Sequence, residues 1–144
     1  MKTIFRKLFA ILTLIVVLTN PLSVLSQEVA TPPTPPAELK LTRAVMCESM
    51  QKLAPVNQAV LFSIDVGRIS CFTEFDQVTR QTFIRHKWYR KGNLISVKQL
   101  TVHPPRWSSF SSIQLRDADK GPWRVDVTDE NDNLIVTLRF SITE

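Results

Sequence analysis

Residues 85–140 constrain the fold of this chain more than any other segment, because three tryptophans there stand in or beside runs of alternating apolar and polar residues. Residues 82–89 and 123–127 alternate in this way, and residues 134–142 continue the pattern. A period of two residues is the signature of a β-strand with one buried face. The segment therefore predicts a series of strands with one buried face.

The chain from about residue 39 onward supplies partners for these strands. Further strand-like runs cover residues 43–47, 59–64, 68–75 and 94–102, and the run that begins at Trp107 is another. Lys91-Gly92-Asn93 suits a hairpin turn, since glycine accepts positive φ, and Pro104-Pro105 ends a strand by removing backbone donors. Seven or eight short strands and no long amphipathic helix predict an all-β, antiparallel immunoglobulin-like β-sandwich. Its predicted core comprises Trp88, Trp123, Val125, Val127, Leu134, Val136, Leu138 and Phe140.

The amino terminus has the pattern of a secretory signal peptide. Three basic residues precede an apolar run over residues 8–18, and Thr19-Asn20-Pro21 breaks that run. As a helix, the run spans only about 16 Å, against the roughly 30 Å of a bilayer core. The pattern predicts a signal peptide over residues 1–26, cleaved after Ser26, and a periplasmic or otherwise exported protein. The alternative is an uncleaved anchor, and only a retained signal brings the protein into contact with the membrane.

A proline-rich linker is predicted over residues 27–38, before a folded domain over residues 39–144. Pro32, Pro33, Pro35 and Pro36 disfavour a helix and favour an extended, solvated chain. Removal of the signal peptide leaves 15 basic and 13 acidic side chains out of the 18 and 13 of the full chain. A net charge of +2 gives no reason to expect a nucleic-acid partner.

Four motifs in this order resemble a bacterial domain-of-unknown-function family, number two-nine-one-four, over residues 41–142. They are Gly-Arg-Ile-Ser-Cys-Phe-Thr-Glu at 67–74, His86-x-Trp88, Pro-Arg-Trp-x-x-Phe-Ser-Ser at 105–112, and Gly-x-Trp-Arg-Val-Asp at 121–126. The resemblance implies an exported or membrane-attached protein. It implies no activity, cofactor or catalytic residue. Relatives often follow membrane segments, whereas this chain shows only a signal peptide.

Cys47 and Cys71 are the only cysteines, and an even pair in an exported chain predicts a disulfide. Closing this loop of roughly 25 residues stabilises the fold by about 3 kcal/mol in the chain-entropy model. Two buried free thiols are the alternative. A metal site is disfavoured, because only His86 and His103 are available to complete four ligands.

Neither an enzyme nor a cofactor is expected from the motifs. The hydrolase alternative uses His86 as a base with one of the nearby serines, yet no Gly-x-Ser-x-Gly motif surrounds Ser108, Ser109, Ser111 or Ser112. A satisfied core histidine beside Trp88 is the preferred interpretation. Asp129-x-Asn131-x-Asn133 resembles the start of a calcium loop, but Leu134 and Phe140 replace the glycine and glutamate that such a loop needs.

Charge is distributed unevenly along the folded part, and this suggests a binding function. Residues 77–116 carry eight basic and no acidic side chains, whereas residues 117–144 carry seven acidic and three basic ones. One interpretation is that the two segments pair their charges across a sheet. The other is a binding face for an envelope protein or an anionic glycan. Its predicted residues are Arg85, Lys87, Tyr89, Arg90 and Arg106, with Arg90 included only if the nearby turn carries it outward.

Overall fold

The computed structural model describes residues 32–144, and within them Thr34–Glu144 form one compact unit. This part is built from nine strands and two single 3₁₀ turns, Ile64–Val66 and Asp117–Asp119. The strands are β1 Lys40–Gln51, β2 Ala54–Gln58, β3 Leu61–Ser63, β4 Arg68–Asp76, β5 Thr82–Arg90, β6 Asn93–Val102, β7 Trp107–Gln114, β8 Gly121–Thr128 and β9 Leu134–Thr143. The predicted all-β class is confirmed, with nine strands in place of seven or eight.

The strands form two sheets that pack face to face as a sandwich. One sheet has the order β2-β1-β4-β7, and the other has the order β3-β9-β8-β5-β6. All the pairings are antiparallel except that of β3 with β9, which is parallel. The neighbours β5, β8 and β9, facing β4 and β7, correspond to strands C, F and G facing B and E of an immunoglobulin domain.

Strand β5 shows how the alternating sequence produces the two faces of its sheet. Thr82, Ile84, His86 and Trp88 are buried, and the residues between them are half-buried on the opposite side. The hairpin to β6 is closed by Lys91 and Gly92, whose φ values of 48° and 84° are both positive. This is the turn expected from the sequence, because its positive φ values match the right-handed twist of the strands that it joins.

An aromatic cluster occupies the middle of the core, around Phe140 of β9. Its ring stacks on Trp123 with centroids 6.1 Å apart, and it meets the edges of Trp88 at 6.1 Å and Phe62 at 6.2 Å. Such aromatic pairs are worth about 0.5–1.5 kcal/mol beyond the area that they bury. The predicted core is confirmed for Trp88, Trp123, Val125, Val127 and Phe140, which are all at most 4% exposed.

Two apolar residues with inward parity in their strands, the predicted core residue Leu134 and Trp107, do not lie in the core. Leu134 is 62% exposed, because it opens β9 beside the register shift at Val127/Thr128, where the sandwich ends. Trp107, the first residue of β7, is 38% exposed and packs on the imidazole of His103, with ring centroids 4.5 Å apart. Val136 and Leu138 are only partly buried against the core.

The end of the predicted linker is held against the sandwich by Glu130, in the loop between β8 and β9. One carboxylate oxygen accepts the backbone N–H of Ala37 at 3.1 Å and pairs with Arg80, and the other accepts the hydroxyl of Thr82 at 2.7 Å. The guanidinium of Arg80 also donates to the carbonyl of Pro35 at 3.1 Å. These contacts fix where the chain enters the domain. The predicted signal peptide and the first linker residues lie outside the described residues, and between residues 32 and 144 no helix is long and apolar enough to span a membrane.

Candidate functional site

Three of the five predicted binding residues project from one surface, the outer face of the five-stranded sheet. Arg85, Lys87 and Tyr89 line a shallow groove of about 550 Å³ whose other wall contains Leu94 and Val97 of β6. The alternation in β5 therefore assigned these three side chains to the correct side of the sheet.

The positive charges of Arg85 and Lys87 are largely neutralised by an acidic side chain of the protein itself. Nζ of Lys87 lies 2.7 Å from Oδ1 of Asp132, and Nη1 of Arg85 lies 3.5 Å from the same oxygen. Hydrogen bonding from Lys87, together with both positive charges, lowers the pKa of Asp132 below its ordinary value. Arg85 also lies over the ring of Phe83, 4.7 Å from its centroid. At this end of the sheet the acidic segment packs over the basic one, as the charge-pairing interpretation expects.

Arg90 and Arg106 do not join this face. Arg90 pairs with Trp123 in the register and so keeps the inward parity of Trp88, and its guanidinium binds Asp119 at 2.8 Å. Arg106 lies just before β7, in the other sheet, and its guanidinium contacts Asp76 at 3.1 Å. The turn after β5 does not carry Arg90 outward, so the predicted five-residue patch is not contiguous.

A second group of basic residues lies on the same outer face, at the opposite end of β5, and the sequence reasoning missed it. Here Lys91, Arg124 and Arg139 surround Tyr89, and Gly92, Pro122 and Trp123 complete a depression of about 220 Å³. This depression, the basic pocket, has no acidic residue in its lining. The guanidinium carbon of Arg124 lies 3.9 Å from the centroid of the Tyr89 ring, a cation–π contact that holds Arg124 in place.

The register brings two positive charges side by side in the basic pocket. Arg124 of β8 is directly opposite Arg139 of β9, and like charges at such positions destabilise a sheet. Asp126 partly offsets Arg124, since its Oδ2 lies 3.1 Å from Nε. Arg139 is exposed, and neither it nor Lys91 forms an ion pair with any residue in the range 32–144. The pocket therefore keeps an excess of positive charge that the described protein does not neutralise.

Arg124 and Arg139 were missed because they lie in the acidic segment 117–144, where a count of charges by segment hides them. Their positions in the alternating pattern of β8 and β9 could have shown which way these two side chains point. Each follows or precedes an inward aromatic residue, Trp123 or Phe140, so each has to point outward. That the two lie opposite one another follows only from the register of β8 against β9.

His86 belongs to a closed polar network in the core. The indole N–H of Trp88 donates to the hydroxyl oxygen of Ser111 at 3.1 Å, and that oxygen lies 2.8 Å from Nδ1 of His86. On the other side, Nε2 lies 3.2 Å from the hydroxyl oxygen of Thr73, which donates to the carbonyl of Ser109. If His86 is neutral and carries its proton on Nε2, every N–H and O–H donor in this network has one acceptor.

The surroundings of His86 keep it neutral and away from solvent. It is fully buried, and desolvation lowers its pKa to about 4. The preferred interpretation of a satisfied core histidine beside Trp88 agrees with this geometry. Ser111 is within hydrogen-bond distance, as the hydrolase alternative requires, but the pair has no opening to a substrate.

The predicted disulfide between Cys47 and Cys71 is not formed, and both residues are free and buried. The register supplies the reason for this correction. Cys71 pairs with Met46, whereas Cys47 pairs with Ser70, so the one-residue offset directs the two side chains to opposite faces of the sheet. Burial raises the pKa of both thiols.

The side chain of Asp129 closes its own loop. It accepts backbone N–H groups from Asn131 at 2.9 Å and from Asn133 at 2.8 Å, and the side-chain amide of Asn133 at 3.0 Å. These bonds make a compact turn, as the hairpin interpretation expects. Across the part of the chain that the structure describes, no group of three or more His, Cys, Asp or Glu residues is arranged to hold a metal ion.

Comparison with known proteins supports the family resemblance. Residues 81–142 match the family described as "Protein of unknown function (DUF2914)", a shorter range than the expected 41–142. No curated protein sequence gives a significant match. The chain is similar to part of a β-glucosidase from Listeria innocua in complex with glucose, with a TM-score of 0.49 and 7% identity over 88% of this chain and 20% of that one. It is also similar to part of a β-D-glucoside glucohydrolase from Trichoderma reesei, with a TM-score of 0.42 and 12% identity over 74% and 19% of the two chains. The chain thus spans about a fifth of the length of these enzymes.

Proposed function

We propose, from the premise that residues 81–142 match the family of proteins of unknown function DUF2914, that this protein is an exported, non-enzymatic binding module. Its binding site is the basic pocket, and its ligand is an anionic group, best matched by the carboxylate of an acidic glycan. An acidic surface of another envelope protein is the second candidate partner.

The observation that carries this proposal is the direct opposition of Arg124 and Arg139, with Lys91 beside them and no carboxylate in the pocket lining. An arrangement that costs stability in the free protein becomes favourable when an anion binds between the charges. Arginine offers a planar pair of donors that matches both oxygens of a carboxylate. The contact with Tyr89 orders the guanidinium of Arg124 in advance and so reduces the entropy lost on binding.

The size and depth of the site favour a sugar over a large folded partner. A depression of about 220 Å³ accommodates one small charged unit and leaves the remainder of a ligand to run over the sheet. The groove along Arg85, Lys87 and Leu94 starts from the same residue, Tyr89, and continues the surface. A glycan with one carboxylate seated in the pocket can extend over this surface, whose own charges are largely paired.

The core position of His86 supports a binding module over a hydrolase. A general base has to come within hydrogen-bond distance of the group that it deprotonates. His86 is enclosed by Thr73, Trp88 and Ser111 and has no exposed surface. A pKa near 4 also favours a structural imidazole, because a base that works at neutral pH is most efficient with a pKa near 7.

The test is the binding of uronic-acid oligosaccharides, compared with neutral oligosaccharides of the same length, by calorimetry at increasing salt. We expect weak binding of the uronic-acid series alone, with affinity falling as the ionic strength approaches about 0.15 M, because exposed charges are screened beyond roughly 8 Å at that point. Arg139→Glu should abolish binding. Lys98→Glu, with the same change of charge on another surface, is the matched control and should bind normally.

Arg85→Glu with Lys87→Glu provides a second comparison. Both residues already pair with Asp132, so their reversal should weaken binding less than Arg139→Glu does. Equal binding of acidic and neutral sugars, or full binding by Arg139→Glu, would reject the basic pocket as the site. Hydrolysis products that form with the unmodified protein, but not with His86→Gln, would instead support the hydrolase alternative.

A further inference from the structure

The edge strands of the two sheets, β6 and β7, lie along one side of the sandwich and enclose a groove of about 430 Å³. Apolar side chains from Ile95, Ile113 and Trp123 form part of its lining. Lys98 and Arg116 add positive charge, and neither forms an ion pair with any residue between Pro32 and Glu144. Asp119 also lines the groove, but its carboxylate pairs with Arg90. This surface, the edge groove, shares Trp123 with the basic pocket but none of its basic residues.

Strand β6 is a long sheet edge with apolar side chains in solvent. It runs for ten residues, and Leu94, Ile95 and Val97 are 53%, 49% and 45% exposed. One side of its backbone pairs with β5, and the other side has no partner strand among residues 32–144. An edge of this kind is a template for the addition of another strand.

A bulge determines which part of the edge is regular. Ser96 pairs with Trp88 and Leu94 pairs with Tyr89, so Ile95 is the extra residue and its side chain lines the edge groove. From Ser96 to Val102 the register with β5 has no shift. This stretch is about 20 Å long, enough for a partner strand of six or seven residues.

The charge of the edge selects the partner. Lys98 is the only charged residue of β6, and it has the inward parity of its partner His86, so its ammonium group lies over the edge groove. Antiparallel pairing of β6 with β6 of a second copy would bring two Lys98 side chains together near the centre of the interface. Inward-pointing lysines on edge strands oppose such self-association. An added strand with acidic side chains meets Lys98 and Arg116 favourably.

We propose that β6 is a docking edge for an extended acidic peptide, which adds as a sixth strand to the five-stranded sheet. Its acidic side chains face Lys98 and Arg116, and its apolar side chains cover the exposed residues of β6. The main-chain hydrogen bonds supply affinity, and the alternation of side chains supplies specificity. This activity is independent of anion binding in the basic pocket.

The test uses the mature chain and a labelled synthetic ten-residue peptide in which glutamate alternates with valine. A peptide of the same composition without alternation and one with lysine in place of glutamate are the controls. We expect only the first to bind, measured by fluorescence anisotropy. Lys98→Glu with Arg116→Glu should weaken the binding of this peptide by about tenfold or more, since two exposed ion pairs are replaced by repulsion between like charges. Lys98→Gln, a milder change, should weaken it by a smaller factor, and Arg139→Glu should leave it unchanged.

Hydrogen exchange locates the peptide. Amides of β6 between Ser96 and Val102 that face away from β5 should become protected on binding, whereas β2 at the far edge of the other sheet should not change. Binding without protection of β6, equal binding of the non-alternating peptide, or undiminished binding by Lys98→Glu with Arg116→Glu would overturn the proposal. Concentration-dependent dimerisation that protects the same amides without peptide would assign the edge to a second copy instead.

Discussion

The hydroxyl oxygen of Ser111 lies 2.8 Å from Nδ1 of His86, and both side chains are buried between the two sheets. Because the same oxygen accepts the indole N–H of Trp88, its own proton is directed to His86. Protonation of the imidazole would place a second donor against this hydroxyl. The network therefore couples the charge state of His86 to the stability of the core.

The first prediction is that stability falls on mild acidification. The folded pKa of His86 is about 4, whereas the ordinary value is 6.5, so below pH 6.5 the unfolded chain binds a proton that the folded chain does not. The free energy of unfolding should fall by up to about 1.4 kcal/mol per pH unit between these two values, on the order of 3 kcal/mol in total. Urea unfolding from pH 7 to pH 4.5 measures it.

Two variants assign this pH dependence to His86. His86→Gln should flatten the slope, although it lowers stability at every pH, and His103→Gln should retain it. Carboxylates with lowered pKa values, such as Glu130 and Asp132, weaken the fold only as the pH falls below their ordinary values of 4.5 and 3.8. Unchanged stability from pH 7 to pH 5 in the unmodified protein would contradict the closed network.

The second prediction concerns Trp123, which is 4% exposed, stacks on Phe140 and donates its indole N–H to the carbonyl of Asp119 at 2.6 Å. Trp123→Ala should lower the free energy of unfolding by roughly 3–5 kcal/mol through lost packing and the cavity left behind. Trp107→Ala is the matched control, because that ring is 38% exposed, and it should cost far less. Equal melting temperatures for the two variants would remove Trp123 from the core.

The third prediction is that native protein contains two free thiols that react slowly. Cys47 and Cys71 point to opposite faces of the sheet, and burial raises the pKa of each thiol, so little thiolate is present at neutral pH. Iodoacetamide should leave the folded protein unmodified and should add two groups after unfolding without a reductant. A mass that is lower by two hydrogens before reduction than after it would show that the disulfide forms.

The fourth prediction concerns the attachment of the linker through Glu130. Glu130→Gln removes the charge that pairs with Arg80 and weakens the acceptor for the backbone N–H of Ala37. The amide of Ala37 should exchange faster, and proteolysis near Pro35 should accelerate, while global stability changes by only about 1 kcal/mol or less. Glu144→Gln, at the exposed carboxyl terminus, should change neither. Equal exchange of Ala37 in both variants would show that the contact does not hold the linker.

Local pattern was sufficient for much of the fold. The alternation over residues 82–89 assigned His86 and Trp88 to the core and Arg85, Lys87 and Tyr89 to the outer face, as the structure has them. The hairpin at Gly92 followed from the conformational freedom of one residue. The placement of Leu134 in the core was wrong, because parity gives the direction of a side chain but not whether another element covers it.

The candidate site depended on which strands are neighbours and in what register. The sequence by itself determined that Arg124 and Arg139 point outward, since each adjoins an inward aromatic residue in a strand of period two. Only the tertiary structure decided that they lie opposite one another, that Asp132 forms an ion pair with Lys87, and that Cys47 and Cys71 point to opposite faces of their sheet. The physical reason is that side-chain direction repeats locally every two residues, whereas register between strands is set by the packing of the whole core, and a shift of one residue exchanges every neighbour.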